Sequence, residues 1–134
     1  MTNESRQRKF LDKTDFEPMY AIYQLKDDKR LWDYMFTNYE TMHKRGRKIK
    51  RNNYNLVYAE SMLHGKMHLE QIYTKFNIDH PADFKGHSLS VSDVVVTKYK
   101  DGSYAASYVD SFGFKFIPDF MLDSGRSRKS GSEM

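Results

Sequence analysis

The C-terminal half of the chain carries the pattern that most restricts its fold, because a β-sheet is the simplest way to bury it. A β-branched run at residues 91–96 is followed by Asp101-Gly102, a pair typical of hairpin turns because such turns need positive φ angles. Residues 104–110 then alternate between two faces, and residues 112–116 alternate Phe with Gly and Lys. We therefore predict antiparallel strands over this whole region.

The N-terminal half contains further strand candidates. Residues 18–25 are rich in aromatic and aliphatic side chains and predict a strand, followed by a charged turn at residues 26–30. Residues 31–36 carry an aromatic side chain at every second position, which predicts a returning strand. Residues 54–59 predict another strand after the turn at Asn52-Asn53.

Two segments carry helix signals. Thr37 or Asn38 can cap a short helix that ends near Arg45, and Gly46 suits the position just past its end. Residues 67–77 place apolar side chains at positions i, i+3, i+4 and i+7 of a second helix. The predicted fold class is α+β, with a mostly antiparallel β-sheet and two short helices packed on one face.

The length of 134 residues suits one domain, which we place at residues 16–122. We expect residues 1–15 to form a flexible N-terminal arm and residues 123–134, rich in Ser, Gly and charge, to form a disordered tail. The chain has no cysteine, and no apolar run reaches the roughly 18 residues of a membrane span. The first residues carry no secretory signal, so we expect a cytoplasmic protein without a membrane role.

Positive charge is concentrated in one segment. Six cations fall within eight residues: Lys44, Arg45, Arg47, Lys48, Lys50 and Arg51. The chain carries a net charge of +4, so without these six charges it would carry −2. Such a patch attracts phosphate groups or acidic protein surface, although a solvated helix end and loop also explains it. We predict these residues as the contact to a partner protein or nucleic acid, with Tyr39 and Tyr54 as flanking anchors.

Motifs for known chemistries are few. The chain has no phosphate-binding Gly-rich loop and no nucleophile-elbow pattern, so we predict no cofactor. His64 and His68 are four residues apart, which can place two imidazoles on one helix face. Gly65 weakens such a helix and no Glu follows His64, so we predict no metal site.

The densest polar segment lies between the second predicted helix and the valine run. It contains Asp79, His80, Asp83, His87 and Asp93, together with several serines. These residue types also occur in hydrolases, but catalysis needs a fixed geometry that spacing alone does not supply. We predict a structural loop, with turn chemistry at Asp79 and Gly86 and no catalytic residues. An enzyme that uses Asp79, His80, Asp83 and His87 stays a third alternative.

Aromatic side chains on the predicted sheet raise a nucleic-acid alternative. Phe112 and Phe114, or Tyr104 and Tyr108, can stack on bases as in RNA-binding sheets. The chain lacks the Lys/Arg-Gly-Phe signature of those modules. Core packing is therefore the expected role of the phenylalanines.

Two longer motifs carry a family resemblance. Residues 76–84 read Phe-Asn-Ile-Asp-His-Pro-Ala-Asp-Phe, residues 86–96 continue from Gly-His-Ser into the valine run, and residues 108–114 read Tyr-Val-Asp-Ser-Phe-Gly-Phe. With residues 21–25 and 54–58, they resemble the YodL-like domain over about residues 19–120. The basic residues 44–51 and the N-terminal arm look like additions to the usual pattern of this family.

The resemblance implies a setting but no reaction. The YodL-like domain occurs widely in Firmicutes, often in proteins encoded on mobile elements, and small accessory proteins of such elements often counter host defences. We therefore expect a non-enzymatic binding module. A specific hypothesis is that it is a stoichiometric inhibitor of a defence nuclease of the anti-CRISPR or antirestriction type. The alternative is a nucleic-acid-binding accessory protein of the element.

Overall fold

The computed structural model describes residues 2–63 and 67–122. The predicted tail at residues 123–134 and His64 lie outside these residues. Within the described residues, five strands form the sheet: β1 (Met19–Leu25), β2 (Tyr54–Ser61), β3 (Val94–Lys98), β4 (Tyr104–Val109) and β5 (Phe114–Phe116). Three α-helices accompany it in the same part of the chain: α1 (Asn3–Leu11), α2 (Tyr39–Lys44) and α3 (Leu69–Ile78).

The strands are arranged in the order β2-β1-β3-β4-β5, and every neighbouring pair is antiparallel. The valines of β3 are buried on both faces because β3 is the central strand. The hairpin after it forms as predicted, but with a longer loop. Tyr99 N donates to Ser103 O, and within this loop only Gly102 has a positive φ, +87°. The α+β class and the antiparallel sheet are confirmed.

The helices cover both faces of the sheet, which differs from the one-face prediction. Met42 of α2 packs with Tyr108 and the β1 and β3 side chains of one face. Ile72 and Phe76 of α3 pack with Tyr20 and other side chains of the opposite face. The sequence gives each helix an apolar stripe but no signal for the face it covers, because that depends on the path of the connections.

The predicted flexible arm at residues 1–15 also differs from the structure. Residues Asn3–Leu11 form α1, where Thr2 Oγ1 accepts a hydrogen bond from Ser5 N at the start. Phe10 is fully buried against the α2 face of the sheet. Lys98 of β3 is buried as well, and its Nζ donates to the carbonyl oxygens of Lys9 and Asp12 at the end of the helix.

The strand predicted at residues 31–36 is wrong. Residues Lys29–Tyr34 form a 3₁₀ helix in which Asp28 Oδ1 accepts a hydrogen bond from Arg30 N. Phe36 has a φ of +58°, which ends any extended run there. Trp32 and Phe36 are exposed, so the aromatic alternation does not reflect burial on a sheet.

Candidate interaction surface

The helix that precedes the basic residues is fixed at both ends by its own sequence. Asn38 Oδ1 accepts a hydrogen bond of 2.8 Å from Thr41 N, so Asn38 is the cap that the sequence suggested. At the other end Gly46 N donates to His43 O and Arg47 N donates to Met42 O. This paired arrangement needs a left-handed residue, and Gly46 has a φ of +68°. The chain therefore leaves α2 in a defined direction.

We call residues 44–51 the basic segment. Two of its six predicted contact residues are held by the protein itself. Arg47 Nη2 lies 2.5 Å from Asp33 Oδ2, and its guanidinium lies 5.0 Å from the centre of the Tyr34 ring. Arg51 Nη1 donates a 3.2 Å hydrogen bond to Met121 O. These two arginines attach the segment to the domain.

The remaining four cations face solvent. Arg45, Lys48 and Lys50 are exposed, and their side chains make no ion pair or hydrogen bond within residues 2–63 and 67–122. Lys44 is exposed and its Nζ lies 3.6 Å from Glu40 Oε2, one helical turn away. An exposed pair of this kind contributes little to stability. The basic segment thus presents several charges that the described part of the fold leaves available for another molecule.

Tyr39 lies beside the basic segment, where the sequence analysis expected an anchor. Its ring is half-buried, packs edge-on against Tyr108 at 6.0 Å and lies 5.2 Å from Lys115 Nζ. The Tyr39 N–H donates to Asp110 Oδ1. A cleft of about 250 Å³ opens here, with Tyr39, Arg47 and Lys48 on one side and residues 116–120 on the other.

Tyr54 is not a surface anchor, and that prediction is wrong. The side chain is only 5% exposed and its ring packs edge-on against Phe120 at 5.3 Å. Its hydroxyl donates a 2.7 Å hydrogen bond to Ser92 O, and burial raises its pKa. Tyr54 opens β2 directly after the basic segment, so closeness in sequence suggested a contact role that burial excludes.

We call residues 79–93 the motif loop. Three of its predicted residues make separate contacts. Asp79 N donates to Lys75 O at the end of α3, and His80 Nδ1 lies 3.1 Å from Pro81 O. Asp83 Oδ2 lies 2.5 Å from Arg6 Nη2 of α1, and the hydrogen bond from Arg6 lowers the pKa of this carboxyl.

The other two predicted residues of the motif loop meet at the end of β1. Asp93 is buried, and its Oδ2 accepts hydrogen bonds from Ser90 N at 2.9 Å and Gln24 Nε2 at 3.1 Å. His87 Nδ1 lies 4.0 Å from the same oxygen and 2.8 Å from Ser88 O. Burial raises the pKa of Asp93 to about 7, against the opposing effect of these partners.

Gln24 is the member of this cluster that the sequence analysis missed. It is a buried polar residue in an otherwise apolar strand, and its Nε2 also donates to His87 O at 2.8 Å. A Cβ at Gly86 would lie 2.2 Å from Gln24 Oε1, so a side chain at position 86 would force Gln24 to shift. A lone polar side chain at a core position of the strand was the available signal.

The contacts of the serine and histidine side chains in the motif loop bear on the hydrolase alternative. Within the described part of the chain, no serine hydroxyl of the loop hydrogen-bonds His87. No group of three or more His, Asp or Glu residues in that same part is placed to hold a metal ion. What the arrangement does is connect the loop to β1 and α1 through Asp93 and Asp83.

Taken together, the fold and the surface define a small α+β domain with one antiparallel sheet and a cationic segment on its α2 side. No helix within the described ranges is long and apolar enough to cross a membrane. The family model of the YodL-like domain matches residues 19–120, which contain all five strands. The chain belongs to the YodL-like domain family. Neither the curated proteins nor the solved structures contain a match to it.

Proposed function

We propose that this protein is a non-enzymatic binding module that contacts an acidic macromolecule through its basic segment. The observation that carries the proposal is the pair of anchors at Arg47 and Arg51, between which Lys48 and Lys50 face solvent. Cations on an anchored loop lose less conformational freedom on binding than cations on a free chain. The basic segment can therefore bind a partner without a large loss of conformational freedom.

The charge distribution favours this surface over the rest of the domain. The chain as a whole carries +4, and the basic segment supplies more than that excess. A concentrated patch on an otherwise slightly acidic protein orients it as it approaches a partner of opposite charge. The acidic face of a protein is the partner that we favour.

We place this activity in the cytoplasm, as stoichiometric inhibition of a bacterial defence nuclease of the anti-CRISPR or antirestriction type. Support for this finer proposal comes from the occurrence of the YodL-like family in proteins of mobile elements. A positive surface suits an acidic catalytic region, whereas a DNA mimic would need an acidic face. Inhibition by occupation of a functional groove requires no active site in the inhibitor.

Nucleic acid is the alternative partner. The observation that favours it is the stack of Tyr39 on His43, with nearly parallel rings 6.4 Å apart, beside the exposed cations. Aromatic rings next to cations bind single strands through stacking and phosphate contacts.

A titration across a salt series separates these partners. The experiment measures the Kd of the protein at several sodium chloride concentrations for four probes: poly-L-glutamate, duplex DNA, single-stranded DNA and RNA. We expect poly-L-glutamate to bind, and nucleic acid to bind weakly with no preference for one form. Binding to one nucleic acid at micromolar or tighter Kd with a steep salt slope would establish the alternative instead. Failure of every probe to bind at low salt would overturn the proposal.

A further inference from the structure

The two outer edges of the sheet differ. The edge of β2 is covered by α1: Asn3 Nδ2 donates to Val57 O, and Asn3 Oδ1 accepts from Ala59 N. Arg6 Nε donates to Ala59 O at 2.6 Å. These side chains replace the strand that would otherwise pair with β2. The opposite edge, β5, has no such cover within residues 2–63 and 67–122.

The pairing of β5 with β4 determines which main-chain N–H and C=O groups of β5 have no partner in the sheet. Asp110 N donates to Gly113 O, Ile117 N donates to Ala106 O, and Lys115 lies opposite Tyr108. Main-chain groups alternate in direction along an antiparallel strand, so those of Phe114 and Phe116 point away from β4. Neither residue has a main-chain partner outside the ladder in the described part of the chain.

The side chains of β5 divide between the two faces. Lys115 lies on the α2 face, where its Nζ is 5.2 Å from the centre of the Tyr39 ring. Phe114 lies on the α3 face, edge-on to Tyr73 at 6.4 Å. Alternation along the strand directs the Phe116 side chain to the same face, and residue 116 also borders the cleft on the α2 side. Phe116 is 58% exposed. One face of this edge is therefore cationic and the other is apolar.

We infer that β5 is a docking strand for an extended peptide segment of the partner protein, in which acidic residues alternate with apolar residues. The added strand forms main-chain hydrogen bonds with Phe114 and Phe116. Its acidic side chains then lie on the α2 face, near Lys115 and the cleft that Lys48 lines. Its apolar side chains lie beside the rings of Phe114 and Phe116.

Charge favours this peptide over two other possible occupants of the β5 edge, namely a second copy of the chain and residues 123–134. A second copy paired through β5 would bring two Lys115 side chains and two basic segments together, and this repulsion opposes it. Residues 123–134 contain three basic and two acidic residues, so they do not match a cationic surface. The inference rests on the proposed function, because it assumes an acidic protein partner.

The probe is a synthetic peptide of about eight residues, the length of a common strand, that alternates Glu with Val. Its control has the same composition, with the Glu residues in one block and the Val residues in another. We expect the alternating peptide to bind with a Kd below about 1 mM and the block peptide to bind at least about fivefold more weakly. Equal binding of the two peptides would overturn the inference, as would no binding of the alternating one.

Two further readouts locate the peptide. Bound peptide should slow amide hydrogen exchange at Phe114 and Phe116 of the wild-type protein, and exchange that stays unchanged there contradicts the inference. Phe116→Pro removes an outward N–H without touching the ladder, so we expect at least about tenfold weaker binding than for Phe116→Ala. Phe116→Ala loses the same ring but keeps the N–H. Equal Kd values for the two variants, with similar Tm, would contradict the pairing.

Failure of the inference is distinguishable from failure of the proposed function. The double variant Lys48→Glu/Lys50→Glu reverses two charges of the basic segment and leaves β5 unchanged. If it abolishes binding of poly-L-glutamate while Phe116→Pro binds peptide like Phe116→Ala, the strand pairing is wrong and the basic surface stands. If it binds poly-L-glutamate like wild type while Phe116→Pro loses the peptide, the basic surface is wrong and the docking strand stands.

Discussion

Arg47 Nη2 and Asp33 Oδ2 lie 2.5 Å apart, and this pair joins the basic segment to the 3₁₀ helix that follows β1. The same guanidinium donates a second hydrogen bond to Asp33 O at 3.1 Å. Arg47 therefore has a structural role inside a segment whose neighbouring charges face solvent. Sequence alone cannot make this distinction, because all six cations look alike and the partner of Arg47 is fourteen residues away.

The first prediction separates anchored from free cations. Arg47→Ala should lower the free energy of unfolding by about 1 kcal/mol, because it removes an ion pair with good geometry and a cation–π contact. Arg45→Ala, two residues away and exposed, should change it by less than about 0.5 kcal/mol. Urea denaturation followed by tryptophan fluorescence measures both. Equal losses in the two variants would show that Arg47 is not an anchor.

The second prediction tests the packing of α1. Phe10→Ala should destabilise the protein by about 3 kcal/mol, because it empties a fully buried site in the core. Leu11→Ala is the matched control on the exposed side of the same helix and should cost less than about 1 kcal/mol. Thermal denaturation compares the two variants. A flexible arm would instead make both substitutions neutral.

The third prediction concerns two buried tyrosines whose hydroxyl groups differ in hydrogen bonding. Tyr54→Phe should cost about 1 to 2 kcal/mol, because Ser92 O loses the hydrogen bond from the Tyr54 hydroxyl. The Tyr20 hydroxyl is buried and has no hydrogen-bond partner in the described part of the chain. Tyr20→Phe should therefore be neutral or stabilising. Chemical denaturation gives both values, and a larger loss for Tyr20→Phe would contradict the assignment.

The fourth prediction is a pH dependence from Asp93. Its folded-state pKa is raised to about 7, so between about pH 4 and pH 7 the folded protein retains a proton that the unfolded chain has lost. The protonated Asp93 carboxyl group therefore stabilises the folded state at low pH, and this contribution is lost as the pH rises through 7. The free energy of unfolding of the wild type, relative to that of Asp93→Asn, should thus be lower at pH 8 than at pH 5 by at least about 1 kcal/mol.

Denaturation curves of the wild type and Asp93→Asn at the two pH values test this. The Asn side chain keeps an oxygen that can accept from Ser90 N and Gln24 Nε2, so the comparison isolates the ionisation. A stability difference between the two proteins that does not change with pH would show that Asp93 is ionised throughout.

Local signals in the sequence predicted much of the fold. The Asn38 cap, Gly46 and the apolar stripe that includes Ile72 and Phe76 each act within one or two helical turns, and each is confirmed. The alternation at residues 31–36 misled because three aromatic side chains at every second position resemble a strand. Trp32 is exposed on a 3₁₀ helix, and Phe36 is exposed just beyond the end of that helix.

Long-range contacts account for what the sequence did not predict. Phe10 and Lys98 are separated by most of the chain, and nothing near either residue indicates that α1 packs on the sheet. The burial of Tyr54 depends in part on Phe120, far along the chain. Of the candidate contact residues, composition identified the basic segment, but only three-dimensional placement separates Arg47 and Arg51 from the cations that face solvent.

The central claim is that the exposed lysines of the basic segment make the electrostatic contact. The most direct test is the Kd for poly-L-glutamate of Lys48→Glu/Lys50→Glu, measured beside the control Lys85→Glu/Lys100→Glu. The control makes the same change in net charge at exposed positions elsewhere on the domain. We predict at least about tenfold weaker binding for the first variant, with unchanged Tm and a shallower salt dependence, and a much smaller effect for the control. Equal weakening in both variants would contradict the claim, because binding would then follow net charge and not this surface.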